Sequence, residues 1–198
     1  MNKSVIGAAL AALSVAIPAA AQAQKLPDTV VAVVDTDRVY RECNACKTAQ
    51  ATLQTQATSL QQRAQQLAQP IQTEGQSLET AIKALNGKQP DAALTARIQA
   101  LQAKQNTANQ ELQGRQQTLE STRSNVLKQI NDKLGPIFTQ VMTARNANIM
   151  LDSDATLASG RSLDVTADVL AALNQQLTTI SVTPLPQGAA PPSATQGR

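Results

Sequence analysis

Residues 48–134 read TAQATLQTQATSLQQRAQQLAQPIQTEGQSLETAIKALNGKQPDAALTARIQALQAKQNTANQELQGRQQTLESTRSNVLKQINDKL. The fold is decided here. On the first half, apolar or small residues fall in alternating steps of four and three: Leu53, Ala57, Leu60, Ala64, Leu67, Ile71, Glu74, Leu78, Ala81 and Leu85. The second half keeps the step through Leu94, Ile98, Leu101, Gln105, Ala108, Leu112, Arg115, Leu119, Thr122 and Val126. A period of about 3.5 residues draws one seam along a slightly underwound helix, the mark of a coiled coil. Between the halves lies Asn86-Gly87-Lys88-Gln89-Pro90-Asp91. Gly87 suits a left-handed cap, Pro90 cannot continue a helix, and Asp91 suits the N-cap of the next one. The reading is a hairpin of two antiparallel helices, each about 60 Å long at ~1.5 Å rise per residue.

The seam is thin. Many of its slots hold Ala, and Glu74, Gln105, Arg115 and Thr122 interrupt it. Pro70 removes a backbone donor inside the first arm and predicts a kink. Gly75 and Gly114 each cost a helix about 1 kcal/mol relative to Ala. Such an arm reads as built to form but flex; an ordinary antiparallel helix pair with a mediocre core is the alternative reading.

Working outward, residues 1–23 read as a cleaved export signal. Lys3 gives the positive start, Val5 to Ile17 an apolar run, and Ala21-Gln22-Ala23 an A-x-A cleavage site. The run is shorter than the ~20 residues of a membrane span. Removing residues 1–23 takes away Lys3 and no acid, so the formal charge goes from +3 to +2. That mild balance makes no case for nucleic acid. The chain has no His and no Trp, and Tyr40 and Phe138 are its only aromatics. The commonest general base and the commonest metal ligand are therefore missing. No catalytic constellation, cofactor site or metal site is expected, and the chain reads as a non-enzyme.

Val30-Val31-Ala32-Val33-Val34 is a short apolar run between acidic turns and reads as a strand buried on both faces. Helix follows from about Arg38. Cys43 and Cys46 fall in its first turns, close enough to bridge; a redox-active C-x-x-C is the functional alternative. Asp35-Thr36-Asp37, with Asp152-Ser153-Asp154, resembles the acidic loops of haloacid-dehalogenase-type phosphatases. That chemistry needs several parallel strands, and the polar heptads between leave no room for them, so these Asp residues read as caps and strand ends. After the hairpin, Leu134-Gly135-Pro136 marks a break or kink. Asn148-Ile149-Met150-Leu151 reads as a strand and Ala155-Thr156-Leu157-Ala158 as its partner. Leu163-Asp164-Val165 is extended, and Thr166 caps a final helix to about Leu177. Residues 181–198 are Pro-rich and read as a disordered tail.

The fold class is therefore α+β. A helical hairpin arm, 48–134, is inserted in a small β/α body made from 24–47 and 135–180. A body this small with few aromatics buries little surface, and sharing a sheet between protomers would complete its core. The residues expected in that shared core are Val30, Val31, Val33, Val34, Ile149, Leu151 and Leu157.

Three features together, Val30 to Val39, the Gln/Ala-rich hairpin, and Asn148-Ile149-Met150-Leu151-Asp152 through Asp164-Val165-Thr166-Ala167-Asp168-Val169-Leu170-Ala171-Ala172-Leu173-Asn174, resemble the OmpH/Skp family of periplasmic chaperones. The resemblance implies a homotrimer with a shared β body and three projecting arms around a cavity. It implies an ATP-independent holdase in the periplasm whose partners are unfolded outer-membrane β-barrel proteins. Diffuse client contacts are expected at Leu67, Ile71, Leu78, Leu85, Leu94, Ile98 and Leu101. The resemblance also implies a weak contact of the arms with acidic lipid or lipopolysaccharide. Here Lys83, Lys88, Arg97 and Lys104 are interleaved with Glu79 and Asp91, which reads more simply as a solvated face. The Cys pair and the Pro-rich tail receive no role from the resemblance. A structural coiled-coil adaptor of the envelope is the alternative class.

Overall fold

The computed structural model describes residues 28–185. The expected signal segment, 1–23, and residues 186–198 of the expected tail lie outside this range. In chain order the elements are β1 (Val31–Val34), α1 (Thr36–Glu42), α2 (Asn44–Ala84), α3 (Ala92–Ala144), β2 (Ile149–Asp152) and α4 (Thr166–Gln176), with single 3₁₀ turns at Ser153–Ala155 and Arg161–Leu163.

Helices α2 and α3 form the hairpin. Asp91 caps α3 by accepting from the Leu94 N–H at 2.8 Å. At the turn Asn86 and Gly87 take φ values of 48° and 86°, a region open to glycine and tolerated by asparagine. α2 runs unbroken through Pro70. α3 likewise runs through Gly135 and Pro136, where the sequence predicts a break. The reason is packing. Leu134, Ile137 and Val141 are buried on one face there, each worth about 1.5–3 kcal/mol. Together they exceed the ~3 kcal/mol cost of one interior proline.

The body closes around the root of the hairpin. β1 and β2 pair in parallel, with Val31 beside Ile149 and Val33 beside Leu151. Asn148 fixes the register: its Oδ1 accepts from the Val30 N–H at 2.8 Å and its Nδ2 donates to the Asp28 carbonyl at 2.9 Å. On one face Ala32 and Val34 join a core with Val39, Ile130, Leu134, Ile137, Val169 and Leu173. Thr166, buried at the start of α4, ties that helix to β1 by accepting from the Asp35 N–H at 2.9 Å. Arg145 pairs with Asp168 at 2.6 Å and holds α3 against α4.

Three expectations are corrected. Ala155–Ala158 is not a strand. Asp152 accepts from the Asp154 N–H at 2.9 Å and the Thr156 N–H bonds to the Ser153 carbonyl at 3.0 Å, so the chain coils into a 3₁₀ turn. The residue that meets β1 on its far side is Asp164, through a single parallel bridge to Val33. The helix after β1 is not continuous: it starts at Thr36 with Asp35 as its cap, stops at Cys43 in extended conformation, and restarts as α2. Finally, residues 181–185, expected to be disordered, lie against α3 and α2, held by side-chain amides of Gln129, Asn125 and Gln56.

Candidate functional site

The hairpin presents a long groove along the line where α2 meets α3. Of the seven arm residues expected to meet a client, Leu78 and Leu94 are buried between the arms, at 4% and 9% exposure. Those two are corrected: they spend their apolar surface on the opposite arm. Leu67, Ile71, Leu85, Ile98 and Leu101 are half-buried along the same line. Mid-arm, Ala64, Leu67, Ile71, Gln105, Ala108 and Leu112 line an open groove of about 480 Å³. Its small side chains leave room that a full Leu/Ile seam would fill.

Of the two charged residues that interrupt the apolar period, Glu74 is bound across the arms by Arg97, while Arg115 pairs with Glu111 within α3; a second cross-arm clamp joins Arg63 to Glu111. Arg63 donates from Nε and Nη2 to the two carboxylate oxygens of Glu111 at 2.8 and 2.9 Å. Arg115 Nε also donates to Glu111, at 2.8 Å. Those two guanidinium groups hold the Glu111 carboxyl down at about 2, from an ordinary value of 4.5. Nearer the tip Arg97 bridges Glu74 and Ser77, both on α2. The two clamps set 63 opposite 111 and 74 opposite 97, which fixes an antiparallel register. Thr122 is buried too, its hydroxyl donating to the Thr118 carbonyl at 2.8 Å. Periodicity within one arm cannot reveal which residues face each other, so sequence reading missed Arg63 and Glu111 altogether. Of the basic residues near the tip, Arg97 is bound to Glu74 and Lys83 to Glu79 at 2.6 Å. Both pairs are open to solvent and lie within the arm.

In the body, strand alternation turns Val31, Val33, Ile149 and Leu151 to the face away from the protomer core. Val33 is nonetheless buried, by the Asp164–Val165 segment whose Val165 N–H donates to its carbonyl at 2.9 Å. Val34 is buried in the core proper. Val30, Ile149 and Leu151 stay about two-fifths exposed, and Leu157 is fully exposed on its loop. β2 has no strand on its outer edge among the described residues. An apolar face beside an open strand edge is a surface that pairs readily with another chain.

Cys43 and Cys46 are joined by a disulfide at the start of α2, and the Cys46 N–H points at Cys43 Sγ, 3.1 Å away. Both residues are buried, at 0% and 1% exposure, where no substrate thiol reaches them. The acidic pairs are structural: Asp35 caps α1, and Asp152 accepts from the Thr36 hydroxyl and closes its own turn. Asp164 accepts from the Thr166 N–H at 2.8 Å, and bonds from Thr166 lower its carboxyl below the usual range.

The chain also compares with known proteins. No curated protein matches it. A candidate outer membrane chaperone (OmpH-like) of Caulobacter crescentus CB15 has a similar fold, at a TM-score of 0.66 and 22% identity, over 83% of this chain and 95% of that one. The family model for outer membrane protein (OmpH-like) matches residues 30–173, which takes in β1, the whole hairpin, β2 and most of α4. The chain belongs to the OmpH-like family.

Proposed function

We propose that this chain is an ATP-independent holdase chaperone of the periplasm, which keeps unfolded outer-membrane β-barrel proteins from aggregating. The observation that carries the reading is the pairing of an OmpH-like body with a long arm whose groove is lined by small apolar and amide side chains. An unfolded barrel protein offers alternating apolar strands that aggregate when exposed. Many weak contacts from small side chains hold such a chain without imposing one register. Holding breaks no bond, so it calls for no nucleotide, cofactor or metal.

The same reading gives the assembly. The apolar face of Val31, Ile149 and Leu151, together with Val30 and the open edge of β2, is covered in a homotrimer whose arms surround a cavity. Leu67, Ile71, Leu85, Ile98 and Leu101 offer clients their remaining apolar surface. Acidic lipid or lipopolysaccharide is at most a weak partner, because Lys83, Lys88, Arg97 and Lys104 are interleaved with Glu79 and Asp91 and form no purely basic patch.

Shortening the arms in register tests the reading. Deleting Pro70–Lys83 and Ala93–Asn106 removes two heptads from each arm, keeps the turn, and keeps the Arg63–Glu111 clamp. The shortened chain should remain a trimer by light scattering, with native circular dichroism, and should lose most of its capacity to suppress aggregation of an unfolded barrel protein. A shortened trimer that protects as well as the full chain would refute the arm as the holding surface and favour the envelope-adaptor alternative.

A further inference from the structure

The segment after α4 does something that neither the family match nor the holdase reading assigns. The match ends at residue 173; the segment lies beyond it. From Ile180 to Leu185 the chain leaves the body and runs outward along the root of the arm. Gln129 meets Ser181 twice: its Nε2 donates to the Ser181 carbonyl and its Oε1 accepts from the Ser181 N–H, both at 2.9 Å. Asn125 Nδ2 donates to the Thr183 carbonyl at 3.0 Å. Ser121 Oγ accepts from the Leu185 N–H at 3.0 Å. From the other arm Gln56 Nε2 donates to the Val182 carbonyl at 3.3 Å.

The spacing of these contacts is informative. Residues 181, 183 and 185 meet 129, 125 and 121. Each step of two residues along the segment covers one step of four along α3. Four helical residues rise about 6 Å, so the segment advances about 3 Å per residue, close to the ~3.3 Å of a strand. It is an extended chain. Its alternate residues bond to a polar ladder on one helix face, and Val182 between them packs on the core. Every bond in the ladder goes to the segment's main chain, which any polypeptide carries. Gln129 in particular offers a donor and an acceptor to one residue, as a neighbouring strand does.

We infer that the ladder Ser121–Asn125–Gln129, with Gln56 opposite, is a binding groove for extended polypeptide, and that residues 181–185 occupy it as a tethered strap in place of a client strand. The strap's competition with a client rests on the holdase reading; the groove itself does not. Tethering through only Leu177–Ile180 gives the strap an effective concentration of about millimolar or more. A free peptide therefore meets a largely filled groove.

The test uses the full chain with the strap unseated by Val182→Asp, which places a carboxylate in the half-buried position against the core. Hydrogen exchange at the Ser181 and Leu185 amides reports release. Val182→Asp/Leu185→Pro, which also deletes the Leu185 donor, serves if those amides stay protected. The probe is a fluorescein-labelled peptide of the sequence Thr179–Leu185, followed by anisotropy. The unseated chain should bind it at least tenfold more tightly than the wild type, and Gln129→Ala in the same background should remove most of that gain. Equal binding by wild-type and unseated chains, or none by either, overturns the groove. Aggregation of an unfolded barrel protein tests the competition: the unseated chain should protect at about one third of the wild-type concentration. Equal protection by both overturns the competition while the holdase reading stands. If neither chain protects, the holdase reading fails and the peptide result alone decides the groove.

Discussion

Replacing Leu78 by Ala separates hairpin packing from client contact. Leu78 is 4% exposed and lies in the distal third of α2, flanked by the Glu74–Arg97 clamp. Truncating a buried Leu to Ala costs about 2–5 kcal/mol, depending on how far the site relaxes. A two-helix interface lies close to water on both sides and relaxes easily, so the low end applies, about 2 kcal/mol. The neighbouring ion pair, partly exposed, contributes at most about 1 kcal/mol and cannot compensate. At 1.4 kcal/mol per factor of ten, 2 kcal/mol is about 30-fold in the opening equilibrium of the arm tip. Native-state hydrogen exchange reads this directly, as a roughly 30-fold loss of protection across the distal turns of α2 and α3, with the body amides unchanged. Client holding should change by less than about twofold, since the contacts are many and weak. Unchanged exchange together with a large fall in holding would refute the reasoning, because Leu78 would then be meeting client and not Leu94's arm.

Three further outcomes follow from the geometry. Val33→Asp puts a carboxylate into the buried contact between β1 and the Asp164–Val165 segment; at several kcal/mol it should unfold the body, seen as loss of a cooperative thermal transition. Glu111 has its carboxyl lowered to about 2 from 4.5, so the unfolded chain takes up the proton first as pH falls. Its stabilisation is full above about pH 4.5 and is lost as pH drops towards about 2; Glu111→Gln should flatten the pH dependence of exchange near Arg63 in that window. Replacing Cys43 and Cys46 by Ala together should leave client holding near wild type, measured by light scattering, because the pair is buried and acts at the start of α2; a large loss with the trimer intact would assign it a role in holding.

Much of the hairpin is legible in the chain because a helix writes its buried face as a period. The turn is legible because Gly87 and Pro90 each permit few conformations, and the Asp91 cap is a local hydrogen bond. What a local pattern cannot carry is missing from such a reading. β1 and β2 pair from opposite ends of the chain, and nothing in Val31–Val34 names Ile149–Asp152 as the partner. Ala155–Ala158 looks like a partner strand by composition, yet the Asp152 and Ser153 turn bonds coil it first. Glu74 breaks the apolar period and so reads as a fault; only the facing arm shows that Arg97 makes it a clamp. Residues 181–185 read as disordered from their own composition, since their order is supplied by Gln56, Ser121, Asn125 and Gln129 on other elements. In the candidate site the apolar line is legible and its division between seam and groove is not, because burial of Leu78 and Leu94 depends on the register between the arms.

The parallel pairing of β1 with β2 has a consequence for how the chain reaches its native state. The Val30 carbonyl accepts from the N–H groups of Asn148 and Ile149, so the first strand waits for residues more than a hundred positions later. Closing a flexible loop of that size would be slow. Here the intervening chain is a hairpin that zips from its own turn through local contacts, and each added turn brings Val31 and Ile149 nearer. The arm therefore acts as the jig that assembles the body. A chain made from its N-terminus holds an unfinished β1 until α3 has followed α2. Heptads added or removed in matched pairs alter the length of the arm but not the meeting point of the strands, so arm length can change while the body stays the same.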